Sequence, residues 1–400
     1  MQQKILLTTT VDWPSAARLA GAFTQLGASV EALFPAGHVL GVSRYPERAY
    51  LYRPLHAQAS LQQAVETAQP DFVVPCDDRA LAQLLVLTAR YPDFYTLMMR
   101  SLGNLDSYPL MLARSTSIAL ARDEGIIAPL TLAVPDEDRL VEVLQDVGLP
   151  CVLKADGSWG GDGVKLVRTQ DEARQAFRKL QGPPSRLRSL ARAVLRKDKH
   201  FLAEAWTPRT SVVNAQAFVP GKPATSVFAC RDGEVLATLH MDVADWRGVT
   251  GPASLMRPVH CPQMEDAVGR IARRFNLSGL IGLDFVRDEQ GVPHLIEINP
   301  RATQICHLAL GSDLPAALLG APPRPPVTDR PLVALFPQLL AEARRSPEVF
   351  EDLPLDDPAI LRALAGEEAQ DALGLIAGLG EAGEEMPVFR GRQVYKPRPR

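Results

Sequence analysis

Two short apolar runs near residue 290 constrain this chain more than anything else in it. Leu283-Asp284-Phe285-Val286 is followed, thirteen residues after Asp284, by Glu297-Ile298-Asn299-Pro300-Arg301. Residues 280–286 and 294–299 read as two adjacent strands, joined by the turn Asp288-Glu289-Gln290-Gly291. Residues two apart on a strand share a face, so Asp284, Glu297 and Asn299 can project into one small volume. Both acids sit inside apolar strands rather than in the turn, where solvated surface acids would be expected. A carboxylate in such a run needs a partner. Oxygen donors, two of them anionic, with no His or Cys among them, suit a hard cation such as Mg²⁺. Arg301, just past the strand, can reach phosphate oxygens that such a cation would bridge.

Composition narrows the class. Four hundred residues allow roughly two to four domains. A hydrophobic share of 46% and a charged share of 22% are those of an ordinary globular protein. The net charge of −3 argues against general affinity for nucleic acid or membrane. Cys76, Cys151, Cys230, Cys261 and Cys306 are odd in number and lack metal spacing. Free thiols in a reducing cytoplasm are therefore expected. The first residues read as a strand start rather than a signal peptide. No run approaches the ~18 apolar residues of a membrane span.

The first hundred residues alternate strand and helix. Strands are expected at residues 4–9, 30–33 and 72–74, and helices at 14–26, 60–68 and from Asp77-Asp78 to Leu87. This rhythm implies an open, largely parallel sheet with helices on both faces. Its polar loops, Thr8-Thr9-Thr10 and Cys76-Asp77-Asp78, follow strand ends, where open α/β sheets bind ligands, although helix capping is expected of at least one aspartate. No GxGxxG follows the first strand, so a dinucleotide is not indicated. Residues 90–112 read as a connection, and 115–124 as a helix stopped by Gly125.

A second motif begins at Lys154, which ends the apolar strand 151–154 just before a glycine-rich loop. Gly157, Gly160, Gly161 and Gly163 let the backbone turn tightly and present N–H groups to an anion, with Lys154 as point charge. The loop leads to a strand (164–167) and lacks the Gly-Lys-Ser/Thr of a Walker motif. It reads as a flap able to close over a triphosphate. A helix is expected at 171–180 and antiparallel strands at 201–206, 212–218, 225–230 and 234–241, then a helix at 265–275. After Ala321-Pro-Pro-Arg-Pro-Pro326 the chain reads as short helices that pack on the main body or make an oligomer contact.

In this order, Lys154 with its glycine loop, Glu204-Ala205-Trp206-Thr207, Asp284 and Glu297-Ile298-Asn299-Pro300-Arg301, the chain resembles the ATP-grasp superfamily, and within it the carboxylate–amine ligases. The resemblance covers roughly residues 1–315. It implies an α/β and α+β architecture in four parts. A Rossmann-like pre-ATP-grasp domain (1–112) precedes a first ATP-grasp lobe (113–203) and a second lobe with the metal site (204–318). A small, mainly helical C-terminal extension (319–400) follows. It also implies an enzyme that uses ATP and Mg²⁺ (or Mn²⁺) to activate a small carboxylate of the amino-acid type as an acyl phosphate. An amine then displaces phosphate. ATP-dependent carboxylation through carboxyphosphate and a nucleotide-binding regulatory module are the alternatives.

Carried over by position, Lys154 contacts the ATP phosphates and the adenine edge, with Gly160, Gly161 and Gly163 in the flap. Glu204 and the backbone of Ala205, Trp206 and Thr207 hold adenine. Asp284, Glu297 and Asn299 hold the metal, and Arg301 stabilises the acyl-phosphate oxygens. Two departures stand out. Where the family carries a phosphate-binding Lys, eleven residues ahead of Gly125, this chain has Arg114. In place of an acidic ribose ligand stands Pro208-Arg-Thr-Ser-Val212, with Thr210 or Ser211 as substitutes. In segment 241–257, Trp246 can line a pocket, and Arg247 and Arg257 can grip a substrate carboxylate. The Gly251–Ser254 stretch is a further candidate for oxyanion contact. Residues 185–200 read as a basic amphipathic helix, a solvated face or a docking site for an acidic protein partner. Homo-oligomer formation is left open.

Overall fold

The computed structural model describes residues 2–157, 163–181, 211–246, 252–341 and 346–365. Gly160, Gly161, Glu204, Ala205, Trp206, Thr207, Thr210, Arg247, Gly251, the strand expected at 201–206, the basic stretch 185–200 and the last residues of the tail lie outside them.

The N-terminal sheet contains β1 (Lys4–Thr8), β2 (Ser29–Pro35), β3 (Arg48–Tyr52) and β4 (Phe72–Pro75) in the order β3-β2-β1-β4, all parallel. Helices α1 (Ser15–Gln25), α2 (Ala57–Ala68) and α3 (Asp78–Arg90) connect and follow them. β1 is buried almost throughout because helices cover both faces of a parallel sheet. The chain runs outward from β1 to β3 and returns to the other side of β1 with β4. That reversal opens a crevice beyond the C-terminal ends of β1 and β4, where the Thr8–Thr10 and Cys76–Asp78 loops meet. The edge strand β3 has no apolar alternation and is not evident in the sequence. Residues 90–112, read as a connection, in fact hold α4 (Tyr95–Leu102) and α5 (Tyr108–Leu112), before α6 (Arg114–Asp123).

The first lobe is an antiparallel sheet, β5-β8-β6-β7, made by β5 (Thr131–Val134), β6 (Cys151–Ala155), β7 (Val164–Val167) and β8 (Val213–Ala217). Helices α7 (Leu140–Val147) and α8 (Gln170–Gln181) bury one face around Leu140, Leu144, Leu153 and Phe177. The opposite face carries Val152, Lys154, Val164, Leu166, Asn214 and Gln216, which cross-strand register places together.

The second lobe is a seven-stranded sheet, β13-β12-β9-β10-β11-β14-β15. Its members are β9 (Lys222–Arg231), β10 (Glu234–Trp246), β11 (Ala253–Pro258), β12 (Gly279–Arg287), β13 (Pro293–Asn299), β14 (Leu332–Ala334) and β15 (Val349–Glu351). Helix α9 (Pro262–Phe275) packs on one face and α10 (Leu314–Leu319) on the other. Both large apolar cores contain residues of the N-terminal domain and of this sheet, whereas the first lobe has its own core.

The tail departs from the helical expectation. β14 pairs with β11 and β15 with β14, so the tail extends the sheet before α11 (Pro358–Ala365). Three-residue apolar strands carry too little periodicity to be told from helix by pattern. Packing against the main body is nonetheless what the tail does. Arg18 of α1 donates to Asp352 at 2.6 Å, and Asp352 also accepts from His307 at 2.8 Å. Ser43 and the backbone N–H of Arg44 donate to Asp357.

Candidate active site

The site grows from the β12–β13 hairpin. Its turn is closed by Asp288, whose carboxylate accepts from the N–H groups of Gln290 and Val292. Register then sets Gly282 opposite Asn299 and Asp284 opposite Glu297. The next pair is Phe285 with Leu295, so Ile296 is an extra residue, a β-bulge. The bulge frees the Ile296 carbonyl, which accepts from Lys154 Nζ at 3.3 Å and from Gln216 Nε2 at 3.3 Å. Through this oxygen two side chains of the first-lobe sheet reach the β12–β13 hairpin. A Cβ at Gly282 would lie 2.6 Å from Thr303 Cγ2, so only glycine lets the Thr303 loop close over the strand.

Like charges directly opposed across strands repel. Asp284 feels this: burial, and then Glu297 beside it, push its carboxyl above the ordinary range. Asn299 Nδ2 donates to Asp284 Oδ2 at 2.9 Å, which relieves part of the cost. A hard cation between the two carboxylates would relieve the rest, so these residues fit Mg²⁺, which takes few protein oxygens and keeps waters and phosphate oxygens. Among the described residues no cluster of three or more His, Cys, Asp or Glu forms a self-sufficient metal cage.

Positive charge converges on the same point. Arg114, at the start of α6, is 9% exposed, and its Nη2 donates to Glu297 Oε1 at 2.8 Å. Its Nε lies 3.9 Å from Asp156, and its buried Nη1 has no hydrogen-bond partner among the described residues. Lys154 is 4% exposed; burial pulls its ammonium down to about 8, against the pull of Glu297 and with help from Arg114. Asp156 accepts from Asn214 at 2.8 Å, and burial holds its carboxyl above the usual value. Lys154 shares its sheet face with Val152, Val164 and the more exposed Leu166. Cations and an apolar strip thus lie side by side. Gly163 closes the base of the flap, its carbonyl accepting from Ala155 N–H.

Arg301 is not free to grip a ligand as a fork. Its Nε and Nη2 donate to the two oxygens of Asp78 at 2.8 and 2.9 Å, and Nη2 also reaches Asn299 Oδ1 at 3.2 Å. Burial opposes its charge, but Asp78, Asp77 and Glu297 together raise the guanidinium further. Of the two aspartates expected to cap a helix, Asp77 does so. It accepts from Ala80 N–H and ties down Thr9 and Thr10. Asp78 has the second role, which sequence does not show because its partner lies 223 residues away.

Arg257 requires correction. It pairs in register with Asp242, which continues through Ala224 to Phe285, the row on the α9 face of the sheet. Asp284 and Glu297 point to the opposite face. Arg257 is therefore on the wrong side of the strand to serve with them. Sequence reasoning placed Asp78 in a ligand-binding loop or helix cap without its partner Arg301, and missed Asp156 and Gln216, neither of which carries a motif.

Comparison with known proteins bears on the domain and the fold. Residues 126–304 match the family profile of the ATP-grasp domain. The chain is 28% identical over 161 residues to formate-dependent phosphoribosylglycinamide formyltransferase of Klebsiella pneumoniae (strain 342), covering 36% of this chain and 37% of that protein. It is 24% identical over 158 residues to acetyl-CoA carboxylase 1 of Arabidopsis thaliana, covering 39% of this chain and 6% of the other. It therefore spans little more than a third of the first of these curated relatives and far less of the second.

Solved structures match over more of the chain. The biotin carboxylase domain of Hydrogenobacter thermophilus 2-oxoglutarate carboxylase superposes with a TM-score of 0.60 at 17% identity, covering 82% of this chain and 71% of that one. N5-carboxyaminoimidazole ribonucleotide synthetase from Thermus thermophilus gives 0.57 at 18%, with 80% and 79% covered. L-amino acid ligase from Bacillus licheniformis gives 0.51 at 14%, with 75% and 67% covered. At such identities the likeness speaks for the fold. Residues 126–304 thus match the ATP-grasp domain, and the chain shares the fold of these solved structures.

Proposed function

We propose that the chain is an ADP-forming ligase that activates a small carboxylate, an amino acid in the first instance, as an acyl phosphate and couples it to an amine. The observation that carries this reading is the convergence of Lys154 and Arg114 on the hairpin bearing Asp284 and Glu297. Phosphoryl transfer is chiefly positioning and charge neutralisation, and these groups supply both. Lys154 and Arg114 bind phosphate oxygens, and Val152, Val164 and Leu166 form the apolar ground for adenine. The expected adenine contacts of Glu204 to Thr207, and Gly160 and Gly161 of the glycine flap, fall outside the described residues. Mg²⁺ held by Asp284, Glu297 and Asn299 supplies charge neutralisation at the transferring phosphoryl group.

In this scheme a carboxylate oxygen attacks the γ-phosphorus and ADP leaves. The amine nitrogen then attacks the acyl carbon, phosphate leaves, and the nitrogen sheds a proton. Arg301, held beside Asn299, places a fixed positive charge next to the oxyanion that forms. The five buried free thiols suit a reducing cytoplasm. Among the described residues no helix is long and apolar enough to cross a membrane. The substrates are small molecules, and a homo-oligomer is part of the proposal because the Hydrogenobacter domain is described as a dimer.

The test is Mg²⁺-dependent ADP and phosphate release from ATP with pooled carboxylates crossed against pooled amines, with products read by mass spectrometry. ADP plus a condensation product supports the ligase. AMP with pyrophosphate overturns the acyl-phosphate route. ATP binding with no turnover favours a regulatory module. A second reading takes bicarbonate as the carboxylate, favoured by the Hydrogenobacter domain, whose complex holds MgADP and bicarbonate. ADP release that depends on bicarbonate would select it.

A further inference from the structure

An unbroken hydrogen-bonded line runs from the N-terminal domain to the carboxylate pair. Asp78 is the first residue of α3, at the crevice where the parallel sheet reverses direction. Its two oxygens accept from Arg301 Nε and Nη2. Arg301 Nη2 in turn donates to Asn299 Oδ1, and Asn299 Nδ2 donates to Asp284 Oδ2. Each link constrains the next. A fork held at both prongs cannot rotate. With Oδ1 taken by Arg301, the amide of Asn299 must turn its NH₂ toward Asp284, and one lone pair of Oδ1 remains for another partner.

From this we propose that Asp78 is a positioning residue for the metal–phosphate site, acting through Arg301 and Asn299 on Asp284; the inference rests on the ligase reading above. Asp78 also keeps Arg301 off the carboxylates. Arg301 is a buried cation with Glu297 within its electrostatic reach. Without Asp78 the anions left within its electrostatic reach include Asp77, whose oxygens are already bonded to Thr9, Thr10 and Ala80, and Glu297, and pairing with Glu297 would compete directly with a divalent cation. The N-terminal domain thereby enters the chemistry of the hairpin without touching the reacting atoms. Asp77, its neighbour, has no such role, because its four side-chain hydrogen bonds all close on Thr9, Thr10 and Ala80.

The experiment is a double-variant cycle read by Mn²⁺ binding, using electron paramagnetic resonance of the full chain with saturating ADP. Wild type, Asp78→Asn, Arg301→Met and the double variant are compared, with urea midpoints to separate unfolding. Groups that orient metal ligands typically alter metal affinity 10- to 100-fold, so Asp78→Asn is expected to weaken Mn²⁺ about tenfold. In the Arg301→Met background the same change has no further effect, because the line is already cut. Should Asp78→Asn fail to fold, Asp78→Glu, which keeps the charge and displaces the carboxylate, is read the same way.

Mn²⁺ affinity unchanged by the Asp78 variant overturns the inference and leaves the ligase reading standing. An effect that persists undiminished without Arg301 also overturns it, pointing to direct contact between Asp78 and substrate. A wild type that binds nucleotide but no Mn²⁺ overturns the ligase reading, and this inference with it.

Discussion

Arg114 Nη2 donates to Glu297 Oε1 at 2.8 Å, so a cation from helix α6 already neutralises one of the two carboxylates assigned to the metal. The guanidinium thus stands where positive charge is wanted before any ligand arrives. Its third nitrogen, Nη1, is buried and has no hydrogen-bond partner among the described residues.

Removing that guanidinium should act in opposite directions on metal and nucleotide. Arg114→Ala frees Glu297, so Mn²⁺ binding without nucleotide tightens. ATP loses a charged hydrogen-bond donor, a loss of about 1.5–3 kcal/mol, or roughly tenfold or more in Kd. Calorimetric titration of each ligand checks both. A parallel weakening of the two would show that Arg114 has only a structural role. Arg114→Lys should recover charge but not the fork, and give intermediate ATP affinity.

Lys154 makes nucleotide binding pH-dependent. Its value in the free protein is about 8, lowered by burial. Phosphate beside it favours the charged form, so its value rises on binding. The sign follows: the full Lys154 contribution is present below about pH 8 and is lost as pH rises from there through the bound-state value. ATP affinity measured from pH 6 to 10 should be flat, then fall by up to tenfold per unit. Lys154→Arg, charged throughout, should remove the fall.

The tail has a thermodynamic signature of its own. Burial would raise Asp352, but Arg18 and His307 hold it down at about 2. A depressed carboxyl stabilises the fold above its unfolded value, about 3.9, and that contribution is lost as pH falls toward 2. Asp352→Asn should therefore cost about 3–5 kcal/mol near neutral pH, the range for breaking a buried ion pair. It should also flatten the acid limb between pH 4 and 2. Urea unfolding across that range measures both, and an unchanged midpoint at pH 7 would mean the tail is not clamped through Asp352.

Several parts of the site were legible because chemistry conflicted with pattern. Asp284 and Glu297 are acids in apolar strands, and Lys154 is a cation ending a buried one; each needs a partner, and the partners are Asn299 for Asp284, Arg114 for Glu297 and the Ile296 carbonyl for Lys154. The N-terminal strands and helices announced themselves by period. The role of Asp78 could not be read, since its partner is fixed only when α3 is brought to the end of β13. Arg257 was misassigned for a related reason. Which face a strand residue takes depends on register, and β11 has its register set by β10 and β14 rather than by any alternation of its own. The bulge at Ile296, which brings Lys154 and Gln216 to one carbonyl, likewise exists only in the paired sheet.

The central claim is that opposed carboxylates and converging cations form an ATP-driven centre. Its most direct test is ADP release by wild type, Glu297→Gln and Lys154→Ala under the same Mg²⁺ and pooled-substrate conditions, with circular dichroism to confirm folding. The account predicts turnover in the wild type and loss of at least 100-fold, about 2.7 kcal/mol of barrier, in either folded variant. Turnover retained in folded Glu297→Gln would contradict it.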